Sequence, residues 1–477
     1  MAKMGRFIPL TSVVILALFV SACEQSQGAA PAGAGVTATP AGTRASQFAV
    51  ATPTATATST PTSTLIPTSS PTLSPTAATA SGSSVYFPIG TGSSDVIPRQ
   101  LVRTNDDRVY VFANQQYSTR LWTYWTTAAG LPSAQADFAG SASLFDGANL
   151  ISVDAVYDGS STIHVLVNTQ AGLLKDYAFD LATNTFKPAL TLASDSYAVS
   201  GDYLGSSGVA GMVDQSGTLH VAYWSNGNHI LHTAYTYDSA TNLLTPMAAA
   251  AQVDTASVAA NHPAVAVSPV DNSLTVVWVS ESAPAQILAR TRTRAGVWGS
   301  VETVSTGPVW TSPYFGVNID QGPSLVITSD GTQLLAYIEN WDDTGNYGHV
   351  HYAANTGTGW VDQALGMWTH DPALAVNSAG GVYILGHGHP KNADTYGAGS
   401  PCLDMRDMCF LKKNGDGTWA APQLLAGHTG ESDSFDSSPS VKWGVVGWNR
   451  PETVEFLFFS VVNGDYGNPT LYYARLP

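Results

Sequence analysis

Positive charge is scarce in this chain: 19 of 477 residues are Lys or Arg, against 35 Asp or Glu, for a net charge of −16. Nucleic acids and anionic membrane surfaces reward Lys and Arg, so neither is an expected partner of the folded part. Cysteine is rarer still, at three residues. No stretch has a helical period, which argues against bundles and helix-flanked sheets. Gly-x-Ser-x-Gly elbows, HExxH pairs and phosphate loops are absent as well, which removes the chemistries that need those local arrangements.

What is present begins with a leader. Lys3 and Arg6 precede an apolar run from Phe7 to Val20, and small residues follow it, the order of a secretory signal rather than of a membrane-spanning helix. Val20-Ser21-Ala22-Cys23 resembles the bacterial lipobox, which implies cleavage before Cys23 and lipidation of its sulfur. Stable anchoring takes two or more acyl chains. Residues 1–23 are therefore expected to be a lipoprotein signal, and the mature protein to stand at the cell surface, held to the bacterial membrane through that anchor only. Residues 24–83 are almost wholly Ala, Thr, Pro, Ser and Gly. Such a segment cannot bury a core, and its prolines favour extended conformations, so a disordered stalk is expected. Fully stretched, at about 3.1 Å per residue, it would reach on the order of 190 Å.

From Ser84 to Pro477 the composition turns aromatic, Gly-rich and β-branched. A turn followed by an alternating strand recurs seven times: DDRVYVFAN, SSTIHVLVN, SGTLHVAYW, DNSLTVVWV, DGTQLLAYI, AGGVYILGH and PETVEFLFF. The strands start at Val109, Ile163, Leu219, Leu274, Leu334, Val382 and Val454, successive starts being 54, 56, 55, 60, 48 and 72 residues apart. Each copy is preceded by a short apolar strand, as in DPALAVNS, and followed by an aromatic third strand, as in GHVHYAANT, and by a fourth near a Trp or Thr. Four short strands at a step near 55 describe a propeller blade, and seven such units fill residues 84–477. The last unit ends on its third strand, LYYARLP. A ring left open would expose sheet edges. Val85, Tyr86 and Phe87 are therefore expected to supply the outermost strand of the last blade. The fold class is all-β, a seven-bladed propeller of four-stranded antiparallel blades closed by an N-terminal strand.

The inner strand, the Asp-x-x-Gly turn, the LHVAY and hYA strands and the GtgW turn together resemble the sialidase-like (BNR, or Asp-box) propeller superfamily over residues 84–477. The resemblance implies a binding site on one face near the axis. It does not carry the sialidase activity here. The Arg-Ile-Pro motif that grips a carboxylate is replaced by Val96-Ile97-Pro98, and the nearest approach to an Asp box, NGDGTW at 414–419, is one residue short.

Loops between second and third strands share a propeller face with the blade-to-blade connections, and here they are unequal. Blade two has NTQAG, whereas blade six has HGHPKNADTYGAGSPCLDMRDMC. The long loops and connections of blades five to seven place Trp310, Trp341, Tyr347, Tyr396 and Tyr466 beside Asp342 and Asp343, a combination that suits sugar rings and hydroxyls. The same aromatics can instead pack the loops down. Asp342, Asp343 and Asn346 gather oxygens as a calcium site would, though no cofactor is required. His387 and His389, two residues apart, can share a strand face and reach one metal with Asp394; hydrogen-bonded loop histidines are the other reading. Glu339, which could face the axis, Asp371 and Asp436 are the candidate catalytic carboxylates. Cys402 and Cys409 form an even pair in an exported domain, which favours a disulfide worth about 2–3 kcal/mol over two buried thiols.

The expectation is a monomeric, non-enzymatic lipoprotein whose propeller binds an extracellular glycan or protein. An extracellular glycoside hydrolase or polysaccharide lyase at the face of blades five to seven is the first alternative. A protein–protein scaffold is the second.

Overall fold

The computed structural model describes residues 84–476 except 92–99, 115–118, 198–207, 256–257, 283, 306, 308, 310–321, 342–347, 370–371, 378, 405–406, 428–432, 441–452 and 463–469; for 91, 340–341, 433–440 and 459–462 the backbone alone is described. The expected leader, Cys23 and stalk lie outside these residues, as do Trp310, Asp342, Asp343, Tyr347, Asp371 and Tyr466.

Seven antiparallel sheets follow one another along the chain. After β1 (Val85–Thr91), blade 1 comprises β2 (Gln100–Arg103), β3 (Val109–Asn114), β4 (Arg120–Trp125) and β5 (Gly140–Phe145). Blade 2 comprises β6 (Leu150–Tyr157), β7 (Thr162–Thr169), β8 (Leu174–Asp180), β9 (Thr185–Phe186) and β10 (Leu190–Ala193). Blade 3 holds β11 (Val209–Val213), β12 (Leu219–Trp224), β13 (Ile230–Asp238), β14 (Leu243–Pro246) and β15 (Ala251–Gln252). Blade 4 holds β16 (Ala260–Val267), β17 (Leu274–Ser280), β18 (Gln286–Arg292) and β19 (Trp298–Thr303). Blade 5 is β20 (Ser324–Ile327), β21 (Gln333–Trp341), β22 (Gly348–Asn355) and β23 (Trp360–Thr369). Blade 6 is β24 (Ala373–Val376), β25 (Val382–His387), β26 (Met408–Lys412) and β27 (Gln423–Ala426). Blade 7 adds β28 (Asp433–Ser440), β29 (Val454–Val462) and β30 (Thr470–Leu476). In blades 2 and 3 the fourth position is filled by two short pieces, both paired to the third strand.

The repeated turn has a local cause. In MVDQSGTLH, Asp214 Oδ1 accepts the amides of Ser216 and Thr218 at 2.8 and 2.9 Å, and the Gly217 amide closes on the Asp214 carbonyl at 3.0 Å. Gly217 sits at φ +81°, which a residue without Cβ adopts at no steric cost. Asp158 does the same in blade 2, binding the amides of Ser160 and Thr162.

Packing then turns the sheets into a ring. Leu219, Val221 and Tyr223, on one face of β12, join a core with blade 2 residues such as Val156 and Leu166. Ala222 and Trp224, on its other face, join a core with Val265, Val276 and Trp278 of blade 4. The sequence reads as an alternating strand, yet both faces of the second strands are buried, because each blade is sandwiched between two neighbours. A separate apolar core fills each seam in turn, from blades 1–2 round to blades 7–1.

Closure occurs where the sequence places it. The outermost strand of blade 7 is β1, with Val85, Tyr86 and Phe87 opposite Arg475, Ala474 and Tyr473. A buried ion pair reinforces the same seam. Arg103 of blade 1 donates through Nε to Glu455 Oε2 of blade 7 at 2.7 Å, and through Nη2 to Oε1. The Tyr473 hydroxyl also donates to Glu455 Oε1, and Glu455 is 0% exposed. A bidentate guanidinium–carboxylate fork with a third donor is the arrangement that offsets the desolvation of a buried charge.

Candidate functional site

Backbone hydrogen bonds show that second-to-third-strand loops and blade connections share one face. Val309, in the connection into blade 5, donates to Ala285 O in the blade 4 loop, and Asn226 in the blade 3 loop donates to Asp195 O. On this face the loops at 170–173 and 281–285 are short, and the longest among the described residues is in blade 6, where residues 388–407 intervene between β25 and β26; the blade 5 and blade 7 loops, also expected to be long, lie at 342–347 and 463–469, outside the described residues.

That long segment is ordered by its own chemistry. Its one helical turn, α1 (Asn392–Tyr396), is, with a 3-10 turn at Gln135–Asp137, the single departure from the all-strand expectation among the described residues. The Asn392 side chain accepts the Trp368 amide at 2.7 Å and donates to Cys402 O at 2.9 Å, tying the segment to β23. Cys402 is disulfide-bonded to Cys409. Gly366, at φ +72°, lets β23 approach Thr395: a Cβ there would lie 2.7 Å from Thr395 Cγ2. The Tyr396 hydroxyl donates to Leu365 O at 2.6 Å, and burial pushes its pKa up to about 12. Tyr396, expected as a sugar-binding ring, is here a half-buried peg that fastens the loop.

Against this loop the upper end of blade 5 collects imidazoles and a cation. His349 on β22 meets the Trp368 ring edge-on at 4.2 Å, and His389 stacks on it at 5.7 Å. Lys391 Nζ lies 4.3 Å from the centre of the Trp368 ring. His389 Nδ1 accepts the Lys391 amide at 3.1 Å. Burial, then the positive potential of His351 and Lys391, holds His349 below its ordinary pKa.

Beneath them, three strands of blade 5 contribute a hydrogen-bonded chain. His351 on β22 places Nε2 2.7 Å from Glu339 Oε2 of β21 and Nδ1 3.0 Å from Asp362 Oδ2 of β23. Burial raises the Glu339 pKa, and the Asp362 charge adds to that, against the opposing effect of His351. Glu339 stands on β21, the second strand of blade 5. It lies at the seam with blade 4, bridged to Val309, and Gly307 packs so closely that a Cβ there would fall on Glu339 Oε1. The ligand atoms of Glu339, His351 and Asp362 all lie within 4.8 Å of one another, the one such metal-capable group among the described residues. The two nitrogens of one imidazole point apart, however, and each is taken by a different carboxylate. The arrangement is thus a proton-sharing chain rather than a chelate.

The other sequence candidates fall as follows. His387 is buried at the end of β25, His389 turns to Trp368, and Asp394 is exposed on α1; these three do not form a metal-capable group. Trp341 ends β21 and Asp436 lies in β28, both described by backbone alone. Sequence reasoning missed His349, His351, Asp362, Trp368 and Lys391. The signal available was GHVHYA, where two histidines alternate on one strand face by the same logic applied to His387 and His389.

No family model matches the chain, and no curated protein is similar to it in sequence. Among solved structures it is similar to the BP39L lectin of Burkholderia pseudomallei, at 12% identity and TM-score 0.44, covering 80% of this chain and 98% of that one. It is also similar to the SapL1 lectin in complex with alpha methyl fucoside, at 13% identity and TM-score 0.36, covering 70% and 96%. A third is a PL25 ulvan lyase bound to -[GlcA(1-4)Rha3S]-, at 10% identity and TM-score 0.41, covering 65% and 80%. Similarity at these levels carries no argument about the site, which rests on this chain's own geometry.

Proposed function

We propose that the protein is a non-enzymatic carbohydrate-binding propeller, displayed at the cell surface through lipidated Cys23 and the 24–83 stalk. Its binding site is the rim where the 388–407 loop meets the upper end of blade 5. The observation that supports this most is the loop itself, the longest second-to-third-strand loop among the described residues, held by a disulfide, an Asn392 bridge and the Tyr396 hydroxyl. A rigid loop on a rigid scaffold loses little entropy on binding.

The test is a glycan array probed with the full chain, followed by hydrogen exchange with any glycan that binds. Protection confined to residues 388–407 and to β22 and β23 is expected. Binding to no glycan, or protection on the opposite face, would refute it. A second reading, glycan cleavage, is favoured by one observation: the raised pKa of Glu339 in contact with His351 suits a proton donor. Product release from a bound glycan, abolished by Glu339→Gln, would establish that reading instead.

A further inference from the structure

We infer that the glycan bound at this rim is anionic, and that Lys391, steadied by Trp368, grips its carboxylate or sulfate group. This rests on the carbohydrate reading and names its ligand class. Three observations carry it. First, Lys391 Nζ has no carboxylate within ion-pairing distance among the described residues, although acidic residues far outnumber basic ones in the chain. Lys175 and Lys187, by contrast, are paired, Lys175 holding Asp146 at 2.7 Å and Lys187 lying 3.7 Å from Asp180; Lys412 and Lys413 stand over the Tyr383 and Tyr352 rings, at 5.2 and 4.5 Å from their centres, as Lys391 does over Trp368. Asp394, one helical turn on, is exposed and makes no ion pair with Lys391.

Second, the blade 5 carboxylates Glu339 and Asp362 are both committed to His351. Third, Lys391 is placed rather than waving in solvent. The face of an indole attracts a cation, and the 4.3 Å separation from the Trp368 ring fixes where the ammonium stands. His349 lies at the edge of the same ring and within the electrostatic reach of Lys391. An anion arriving there meets an ammonium and an imidazole in an otherwise acidic protein, which selects it over a neutral sugar.

The experiment is calorimetric titration of the full chain with oligogalacturonate, which carries carboxylates, sulfated dextran, which carries sulfates, and neutral dextran, at low and high salt. At least one anionic polymer should bind, neutral dextran should not, and added salt should weaken the binding. Lys391→Gln should lower affinity at least about tenfold while Lys391→Arg retains most of it, since a hydrogen bond to a charged group is at stake. Unchanged melting temperatures would show that both variants fold. Equal affinity for neutral dextran, no anionic binding, or indifference to Lys391→Gln would overturn the inference. A neutral array glycan that protects 388–407 and ignores Lys391→Gln overturns it while sparing the carbohydrate reading. Inorganic sulfate that binds in a Lys391-dependent manner, with no glycan bound, sinks the carbohydrate reading and sustains the anion site.

Discussion

Glu455→Gln is the sharpest test of how the ring closes. The substitution keeps the side chain's shape but removes the charge that Arg103 and Tyr473 address at the seam of blades 7 and 1. Breaking a buried ion pair by removing one partner costs about 3–5 kcal/mol. Arg103 keeps part of its satisfaction here, because Nη1 also reaches Asp107 Oδ1 at 3.0 Å, so the lower end, about 3 kcal/mol, applies. An unfolding entropy of about 2.1 cal/mol/K per residue over roughly 390 residues gives about 0.8 kcal/mol/K. The melting temperature should therefore fall by about 4 °C. Scanning calorimetry on the wild type, Glu455→Gln, Arg103→Met and the double variant reads this directly. The double variant should lose less than the sum of the single ones, since it leaves no orphaned charge. Amide exchange at Tyr86 and Phe87 should speed up in the single variants, because their strand is held by the same seam. Single variants within 1 °C of wild type, or strict additivity, would refute the account of closure.

Two further outcomes are expected. His232, which meets His220 Nδ1 at 3.2 Å, is pushed down to about 3 by burial, with His220 and Arg292 adding to the effect. A depressed histidine supports the fold fully above its unfolded value near 6.5 and loses that support as pH falls towards 3, so the wild type should lose on the order of a few kcal/mol over that window; melting curves of His232→Gln across the same pH range should fall less steeply, and parallel curves would count against it. Cys402 and Cys409 close a loop of sequence separation 7, worth about 2–3 kcal/mol; replacing both with Ala should raise amide exchange within 388–407 and weaken glycan binding, and an unaltered exchange pattern would show that Asn392 and Tyr396 suffice.

The ring was legible because its cause is local and repeated. The same tight turn, headed by Thr104, Asp158, Asp214, Ser268, Thr328 and Asn377 in blades 1 to 6, leads into the same doubly buried second strand, so Val109, Leu219 and Val382 announce themselves at a regular step. The missing fourth strand of the last unit was equally readable, since counting alone reveals it. The site was legible only in part. The long blade 6 loop stands out by length, and Glu339 by its scarcity among glutamates. Its partners do not, because His351 and Asp362 lie on two further strands and meet Glu339 only through sheet register and a bulge between His349 and His351. For Tyr396 the reason is related: whether a loop tyrosine greets a ligand or a carbonyl such as Leu365 O depends on where the loop folds back.

The pairing of β1 with β30 also imposes an order in time. Val85 has no partner until Arg475 has been made, so the earliest strand of the domain waits for the last one to emerge from the ribosome. During that interval six blades can assemble while the VYFPIG edge stays unmatched. Contacts this distant along the chain make the final step slow. Loss of the last eight residues, Thr470–Leu476 with Pro477, would therefore strand two sequences at once: β1 without its neighbour, and Glu455 without Tyr473. A truncation of equal length at a loop tip has no such double effect.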